Sequence, residues 1–416
     1  MKDAGARPGP AVSVCIPVYN GERFIAEAIS SVLRQTFADF ELIVSDNAST
    51  DRTLEIVAGF DDPRITCIRN ETNLGPGRNY NRLMEAARGK YIKVLSADDY
   101  LFPDSLQRMV DVFEDEANAG VVLASAGREV VDDSGAHLLM RGRLRSDRRI
   151  AGLEAVRQMA ASGTNIVGET SAALFRADAA RKAGLFLDDA PYCVDMDYWF
   201  RLLEHGDLYV VSGVLSAYRV SSGSWSLDVL DRQAADVAEL IDQAMVRGIA
   251  GITAADALRG ARAAKRSARM RNVMYVIARI PASHREKLRF LVVGGWNTLF
   301  SIAALWLLDR FVPYDPDSLL HKQAVLVVHW VISVTQNFFT FKLLVFRSKG
   351  HWLHEYLRMY VTYAATFLIQ SVLTLAVSQA FGLRLFWASL PSIAVIAVIS
   401  YLGHRHFTFR RTHDGR

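Results

Sequence analysis

Three acidic residues in the first hundred positions follow short apolar runs, where a carboxylate can bind a cation or a sugar. Asp98 and Asp99 come directly after YIKVLSA, and Asp46 ends the run FELIVSD. A hard cation such as Mg²⁺ or Mn²⁺ is commonly held by one or two carboxylates together with the phosphates of a substrate. The Asp98–Asp99 pair therefore suits a diphosphate site, although acids at strand ends also cap helices or face water.

Asp46 allows two interpretations. A carboxylate at a strand end can accept hydrogen bonds from a ribose or a nucleobase. The residues that follow it, Ser49, Thr50 and Asp51, can also cap the next helix, so turn chemistry explains this acid equally well. The sequence contains no Walker motif, G-x-G-x-x-G loop or nucleophile elbow, which removes the usual support for P-loop phosphoryl transfer, dinucleotide redox chemistry and serine hydrolysis.

Composition narrows the class of protein further. The formal net charge of +4 is too small to indicate nucleic-acid binding, and 51% hydrophobic residues is high for a wholly soluble chain. The three cysteines, Cys15, Cys67 and Cys193, are too few and too widely spaced for a disulfide framework or a zinc site, which favours a reduced cytosol. The polar first ten residues do not resemble a cleavable secretory signal.

The elements that must position the acids alternate along residues 11–101. The successive runs are VSVCIPVYN, RFIAEAISSVLRQ, FELIVSDN, TLEIVAGF, ITCIRN, YNRLMEAARG and YIKVLSADD. This order of strand and helix predicts a mostly parallel sheet with crossover helices. Ligands of such sheets bind beyond the carboxyl ends of the strands, so we expect one crevice lined by Tyr19, Asn20, Asp46, Asp98 and Asp99.

The middle of the chain is less regular. We predict a strand in residues 120–131, a further element in residues 171–186 and a helix that begins near Met196. Residues 227–284 have a helical pattern, and Lys and Arg strongly outnumber acids between 259 and 289. A basic helix before membrane spans suits contact with anionic lipid headgroups, and a solvated linker helix is the alternative.

Four later stretches contain no Asp, Glu, Lys or Arg, and each is long enough to cross about 30 Å of hydrocarbon as a helix. They are residues 290–308, 323–341, 359–383 and 385–403. Basic residues lie before the first stretch, between the second and third, and after the fourth, which predicts that both termini face the cytosol. Polar side chains inside these stretches either bond between helices or line a path for a lipid headgroup; they are Asn297, Gln336, Asn337 and Gln370.

The first half of the chain resembles the family 2 glycosyltransferases, whose GT-A fold binds nucleotide-diphospho-sugars. The resemblance rests on PVYNGERFIAEAISSVLRQTFADFELIVSDNASTD, NLGPGRNYN and GKYIKVLSADDYLFPDSL, and it covers about residues 12–223. It implies an α/β GT-A domain with a Rossmann-like, mostly parallel sheet. It also implies that Pro17, Tyr19 and Asp46 contact the nucleotide and that Arg78 lies near the diphosphate.

Further roles follow from the same resemblance. Ala97, Asp98 and Asp99 form the DxD-like element, in which Asp99 is the direct ligand of Mg²⁺ or Mn²⁺ and Asp98 is a second ligand or contacts the sugar or the ribose. VGETSAALFR resembles the acceptor-side loop, and VDMDYWFRL resembles the segment that carries the catalytic base. Asp195 occupies the base position, although Val194 replaces the usual Glu and a helix cap is the alternative. Asp197 caps this helix or orients Asp195. These roles imply one in-line displacement with inversion.

Residues 289–411 resemble the GtrA-like family of four-span membrane proteins, which handle polyprenyl-phosphate-linked sugars in cell-surface polysaccharide assembly. The matching segments are KLRFLVVGGWNTLFSIAALWLL, QNFFTFKLLVFRS and VISYLGHRHFTFRR. The resemblance implies an all-α, four-helix transmembrane domain. We therefore expect a GT-A catalytic domain at residues 11–225, a basic helical linker at 226–285 and a GtrA-like domain at 286–411.

The combination predicts an inverting glycosyltransferase of the cytoplasmic membrane. It would move a sugar from a nucleoside diphosphate donor to polyprenyl phosphate or a polyprenyl-linked saccharide, without a nucleic-acid partner. The spans handle the acceptor or serve only as an anchor. The alternative is a translocator or sensor of polyprenyl-linked sugars whose N-terminal domain binds a nucleotide sugar without transferring it.

Overall fold

The computed structural model describes residues 9–187, 191–220, 231–279, 282–311, 319–346, 348, 350–381, 395 and 397–409. The chain divides into two compact units, one that ends at Arg279 and one that begins at residue 280. The first unit mixes strands and helices, and the second is helical in its described residues.

Ten strands form one sheet among the described residues of the first unit. Their bounds are Val12–Val18 (β1), Phe40–Asp46 (β2), Ile65–Arg69 (β3), Tyr91–Val94 (β4), Tyr100–Leu101 (β5), Val121–Asp132 (β6), His137–Arg141 (β7), Arg148–Ile150 (β8), Ala173–Arg176 (β9) and Asp207–Val220 (β10). The strand order is β3-β2-β1-β4-β9-β6-β10-β5, with β7 beside β6 and β8 beside β10. The first four strands in this order are mutually parallel, as the sequence predicted, and β9 lies antiparallel between β4 and β6.

Helices connect the strands and cover the sheet. They are Ile25–Leu33 (α1), Thr53–Ala58 (α2), Pro76–Ala86 (α3), Ser105–Glu114 (α4), Gly152–Ser162 (α5), Ala177–Ala183 (α6), Val194–Leu203 (α7), Gln233–Val246 (α8) and Ala254–Arg279 (α9). The crossover helices predicted between the first four strands are α1, α2 and α3. The strand predicted at residues 120–131 is β6, and the helix predicted near Met196 is α7.

Two hydrophobic cores lie on the two faces of the sheet. Val14 and Ile16 of β1 belong to one core and Cys15 belongs to the other. Successive side chains of a strand point to opposite faces, so β1 is covered on both sides. Burial on both faces explains why this strand is a continuous apolar run, as is typical of central parallel strands.

Helices α8 and α9 complete one of these cores. Val237 and Ile241 of α8 and Ala264 of α9 are buried in the same cluster as Trp199 of α7. These helices occupy most of the segment that the sequence suggested as a linker, and they pack against the rest of the first unit. The functional domain boundaries predicted at residues 225 and 285 stay predictions.

The second unit contains three long helices among its described residues, Ala282–Phe311 (α10), Leu319–Thr340 (α11) and Trp352–Phe381 (α12). By length and composition, one described helical stretch, Glu286–Leu308, is long and apolar enough to cross a membrane. The predicted spans at 290–308, 323–341 and 359–383 lie mostly in these three helices. Much of the predicted span at 385–403 lies outside the described residues.

Polar side chains inside the predicted spans connect the helices of the second unit. Gln336 Nε2 of α11 donates to Asn297 Oδ1 of α10 at 3.1 Å, and Asn337 Nδ2 donates to the hydroxyl of Tyr363 of α12 at 2.8 Å. These contacts favour the interpretation of helix-to-helix hydrogen bonding. The side chain of Gln370 lies outside the described part of the chain.

Candidate active site

The carboxyl ends of β1, β2 and β4 meet at one edge of the sheet. Val18 pairs with Asp46 across β1 and β2, and β1 also runs parallel to β4. Residues that follow parallel strands emerge at the same edge. The structure therefore brings the loop after β1, the end of β2 and the Asp98–Asp99 pair to one side of the molecule.

Asp46 is fully buried at the end of β2. Its Oδ2 accepts from the backbone N–H of Ser49 at 3.2 Å, which is the turn contact that the sequence suggested. Its Oδ1 is buried without a hydrogen-bond partner among the described residues. A buried acceptor without a donor is unfavourable by about 1–3 kcal/mol, and a ribose or nucleobase donor would relieve this cost.

The end of β1 and the loop after it hold three more of the predicted nucleotide contacts. Pro17 is half-buried in β1, and Tyr19 is 50% exposed. Asn20 has a φ of 51° and accepts from the backbone N–H of Thr50 at 2.9 Å through its Oδ1. Asn20 therefore ties this loop to the turn after β2. Arg78 is exposed in the first turn of α3.

Asp99 is buried, and Asp98 beside it is half-buried. Asp99 Oδ1 accepts from the backbone N–H of Arg219 at 2.8 Å, while Oδ2 is buried without a hydrogen-bond partner in the described residues. Burial raises the pKa of Asp99 well above its usual range, and the negative charge of Asp98 raises it further. Ionisation of Asp99 therefore needs a nearby positive charge.

The Asp98–Asp99 pair fits a divalent cation. An unpartnered carboxylate oxygen and an adjacent second carboxylate are oxygen ligands of the kind that Mg²⁺ and Mn²⁺ prefer. Within the described residues, no group of three or more His, Cys, Asp or Glu side chains surrounds a common centre. The remaining ligands of a cation at this pair would be substrate phosphates and water, as is usual for Mg²⁺.

Asp195 lies half-buried in the first turn of α7. Its Oδ1 accepts from the backbone N–H of Met196 at 2.7 Å, and its Oδ2 accepts from Asn165 Nδ2 at 3.0 Å. Burial raises the pKa of Asp195 to about 7, with a further contribution from the negative charge of Glu169. A general base is most effective when its pKa lies near the working pH.

A short loop before β9 orients this carboxylate. Asn165 Nδ2 also donates to the carbonyl of Gly168 at 2.9 Å, and Trp199 Nε1 donates to the same carbonyl at 3.0 Å. Gly168 has a φ of 104°, and a Cβ atom there would lie 2.8 Å from the guanidinium of Arg128. Only glycine satisfies both conditions. The loop and helix α7 together therefore hold the side chain of Asn165 within hydrogen-bonding distance of Asp195.

Glu169 and Asp197 are held by arginines. Glu169 Oε2 lies 2.5 Å from Arg128 Nε, and its Oε1 lies 3.7 Å from Arg141 Nη1. Asp197 pairs with Arg201 at 2.6 Å within α7. Asp197 therefore neither caps the helix nor orients Asp195, which are the roles that the sequence suggested, because its carboxylate is engaged one turn further along.

Comparison with known proteins identifies two families along the chain. Residues 13–183 match the model of glycosyl transferase family 2, and residues 289–409 match the GtrA/DPMS transmembrane domain. The putative glycosyltransferase EpsE of Bacillus subtilis (strain 168) is 33% identical over 233 residues, which cover 53% of this chain and 79% of EpsE. The chain belongs to glycosyl transferase family 2. The predicted fusion of a GT-A domain with a GtrA-like domain is confirmed.

Two further proteins are similar to this family 2 glycosyltransferase. An uncharacterized protein of Mycobacterium tuberculosis (strain CDC 1551 / Oshkosh) is 35% identical over 238 residues, which cover 54% of this chain and 74% of that protein. The crystal structure of S. aureus TarS 1-349 in complex with UDP superposes with a TM-score of 0.48 and 19% identity, over 67% of this chain and 78% of TarS 1-349.

Three residues that interact with the candidate site of this glycosyltransferase were not found from the sequence. Arg219 is buried, donates to the carbonyl of Asp98 at 2.9 Å and pairs with Glu27 at 2.5 Å. Lys93 of β4 is buried, and its Nζ donates to the carbonyl of Ser171 at 2.7 Å. Burial lowers the pKa of Lys93 to about 7, although Asp99 acts in the opposite direction.

Tyr80 of α3 is the third missed residue. Burial raises its pKa to about 12, and the charges of Asp195, Asp98 and Asp99 all contribute. The hydroxyl of Tyr80 therefore interacts electrostatically both with Asp195 and with the Asp98–Asp99 pair. Its ring stacks on that of Phe186, with the ring centres 5.0 Å apart. The segment NLGPGRNYN contains Tyr80, but a tyrosine on a helix has no sequence signal that separates a site residue from a core residue.

Proposed function

We propose that this family 2 glycosyltransferase transfers one sugar from a nucleoside diphosphate donor to an acceptor hydroxyl, with inversion at the anomeric carbon. The proposal depends mainly on Asp195, a carboxylate with a pKa of about 7 that Asn165 holds in one orientation. Glu169 raises the pKa of both Asp195 and Asp99, which supports one shared cleft for the base and the Asp98–Asp99 pair.

The protein residues have separate tasks in this reaction. Asp46 accepts hydrogen bonds from the ribose or the nucleobase of the donor. Asp195 removes the proton of the acceptor hydroxyl while its oxygen attacks the anomeric carbon from the side opposite the leaving diphosphate. Asp197 is paired with Arg201 and is not free to act as a nucleophile, which supports a single displacement over a two-carboxylate retaining scheme.

Asp99, with Asp98 beside it, would hold a Mg²⁺ or Mn²⁺ ion. Such an ion supplies positive charge against the charge that develops on the departing nucleoside diphosphate. The buried, unpartnered Oδ2 of Asp99 supports this assignment, because a cation would stabilise the ionised form of that carboxyl. Arg78, exposed at the start of α3, is the protein cation that we assign to the diphosphate.

The acceptor that we propose is attached to the membrane, as polyprenyl phosphate or a polyprenyl-linked saccharide, in cell-surface polysaccharide biosynthesis. The fusion to a GtrA/DPMS transmembrane domain supports a lipid-linked acceptor. The basic segments beside the apolar stretches support a multi-pass protein of the cytoplasmic membrane with its catalytic unit and both termini in the cytosol. An oriented base with a pKa of about 7 favours a saccharide hydroxyl over a phosphate, which is already ionised.

A transfer assay tests the proposal. Membranes that contain the full chain are incubated with labelled UDP-, GDP- or dTDP-sugars, and label in extracted lipid is measured before and after chelation and re-addition of Mg²⁺ or Mn²⁺. We expect one donor class to label the lipid, loss of labelling with the chelator, and a product whose anomeric configuration is opposite to that of the donor.

Two results would overturn the proposal in different ways. Retention of the anomeric configuration would exclude a single displacement. Binding of nucleotide sugar without transfer from any donor would favour the translocator or sensor, in which the N-terminal unit binds without catalysing.

A further inference from the structure

A cleft of about 120 Å³ in the first unit adjoins Asp195. Charged side chains on its wall are the carboxylates of Asp195 and Glu169 and the guanidinium groups of Arg128, Arg141 and Arg271. Glu169 is paired with Arg128 and lies near Arg141. Arg271 belongs to α9 and therefore lies outside residues 13–183, which match glycosyl transferase family 2.

Helix α9 reaches the cleft because glycines let it approach α5 closely. A Cβ atom on Gly260 would lie 1.9 Å from the carbonyl oxygen of Ala160, and one on Gly163 would lie 2.2 Å from the carbonyl oxygen of Gly260. Ala264 is fully buried one turn further along. Arg271 follows Ala264 by seven residues, so it lies on the same face of the helix and points towards the cleft.

The guanidinium of Arg271 is only partly satisfied. Its Nε donates to Gln233 Oε1 at 2.7 Å, and its Cζ lies 5.3 Å from the centre of the Tyr192 ring. Its Nη2 is buried without a hydrogen-bond partner among the described residues. Asp236, a nearby acid, pairs with Arg232 at 3.3 Å and accepts from the backbone N–H of Tyr192 at 3.0 Å. Among the described residues, the buried Nη2 of Arg271 therefore has no hydrogen-bond acceptor, and no carboxylate forms an ion pair with its guanidinium.

An arginine in this state suits an oxyanion. A guanidinium remains charged at every physiological pH, and its fork of N–H donors matches the oxygens of a phosphate or a carboxylate. The hydrogen bond to Gln233 and the contact with the Tyr192 ring already hold the guanidinium of Arg271 in one orientation. The side chain therefore loses little conformational entropy when an anion binds. The neighbouring Arg141 adds a second positive charge on the same wall.

We propose that Arg271 binds an anionic group of the acceptor, a phosphate or a carboxylate, while the acceptor hydroxyl faces Asp195. This inference rests on the proposed function, because it describes the acceptor side of the same cleft. Two sources share the chemistry: the phosphate that joins a saccharide to its lipid, and the carboxylate of an acidic sugar. In either case the basic helix acts as part of the active site as well as a segment before the membrane unit.

Binding to the full chain in detergent, without a donor, tests this subsite. The probes are glucose 1-phosphate, glucuronate and neutral glucose, and the variants are Arg271→Gln, Arg271→Lys and the control Arg247→Gln, which alters an exposed arginine at the end of α8. We expect at least one anionic probe to bind about tenfold more weakly to Arg271→Gln than to wild type, as expected for a lost charged hydrogen bond. The affinity of Arg271→Lys for that probe should lie between those of wild type and Arg271→Gln, and the affinity of Arg247→Gln should equal that of wild type.

The pattern across probes distinguishes the sources. A loss confined to glucose 1-phosphate indicates a phosphate, a loss confined to glucuronate indicates an acidic sugar, and glucose should bind equally to all variants. Equal binding of both anions by wild type and Arg271→Gln, or an equal loss for glucose, would overturn the proposal. Absence of sugar transfer with this binding pattern intact would instead refute the proposed function and leave the anion subsite in place.

Discussion

The proposed donor side and the proposed acceptor side of the candidate active site are built in different ways. On the proposed donor side, Asp46 ends one strand and Asp99 follows another strand of one repeated strand–helix pattern, and the parallel register of the sheet brings them to one edge. On the acceptor side, Asn165, Asp195 and Arg271 come from a loop and two helices that meet only through tertiary packing. A sheet therefore positions its strand-end acids by itself, whereas the proposed base depends on contacts between distant segments.

The largest expected effect tests the donor side. Asp99→Asn preserves the shape of the side chain and removes its charge, and we expect transfer to fall by about a thousandfold because the diphosphate loses its main electrostatic support. The check is the initial rate of sugar transfer at saturating Mg²⁺ or Mn²⁺. Asp61→Asn, which alters an exposed acid, is the control and should leave the rate unchanged. A rate near that of wild type in Asp99→Asn would remove this residue from the donor side.

The next effect tests the acceptor side. Asp195→Asn should reduce kcat by about a hundredfold, because general bases typically contribute in this range, while the KM for the donor stays unchanged. Steady-state kinetics with varied donor provides the measurement, and Asp197→Asn is the matched control, since that acid is paired with Arg201. A loss of only a few-fold would indicate an acceptor that is already ionised, such as polyprenyl phosphate.

The pH profile sharpens the assignment of the base. Asp195 must be deprotonated to accept a proton, so kcat/KM should rise with pH, reach half of its maximum near pH 7 and level off at higher pH. Glu169→Gln removes a negative charge that raises this pKa, so the midpoint of the profile should move to lower pH. A midpoint that stays in place in Glu169→Gln would assign the titration to another group.

The smallest expected effect concerns the positioning residue Asn165. Asn165→Ala removes one hydrogen bond to Asp195, which corresponds to about 1 kcal/mol or roughly a fivefold loss in kcat. The N–H donor stabilises the ionised carboxylate, so its removal should also move the pH midpoint upwards. A purely structural role would lower the amount of folded protein and leave the midpoint unchanged, which a combined pH profile and active-site titration would reveal.

The fold and the donor side were largely predictable. The alternation of apolar runs and amphipathic stretches predicted β1 to β4 and their crossover helices, and the acids after these runs lie at the expected edge. On the proposed acceptor side, the resemblance implied that Asp195 is the base, and Asp197 was expected either to cap the helix or to orient Asp195. In the structure it is Asn165 that contacts that carboxylate. An asparagine thirty residues away has no local pattern that connects it to the base.

The segment after the sheet shows the same limit. Its charge suggested a linker near the membrane, yet the small residues Gly260 and Ala264 pack α9 against α5 and bring Arg271 to the cleft. Charge counts do not record which face of a helix is buried. The close approach of two backbones depends on the absence of side chains at matched positions of both helices, which becomes visible only when the helices are placed together.

The order of strands and helices and the carboxylates at the strand ends could be predicted from the sequence, because periodicity and strand direction are local properties of the chain. The apolar composition of the second unit is read directly from the sequence. Only the folded structure shows which buried polar atoms have no hydrogen-bond partner among the described residues and that the pKa of Asp195 is raised to about 7. Desolvation and charge interactions depend on every group that surrounds a side chain. Asp46, Asp99, Asp195 and Arg271 acquire their chemical character from neighbours that lie far away along the chain.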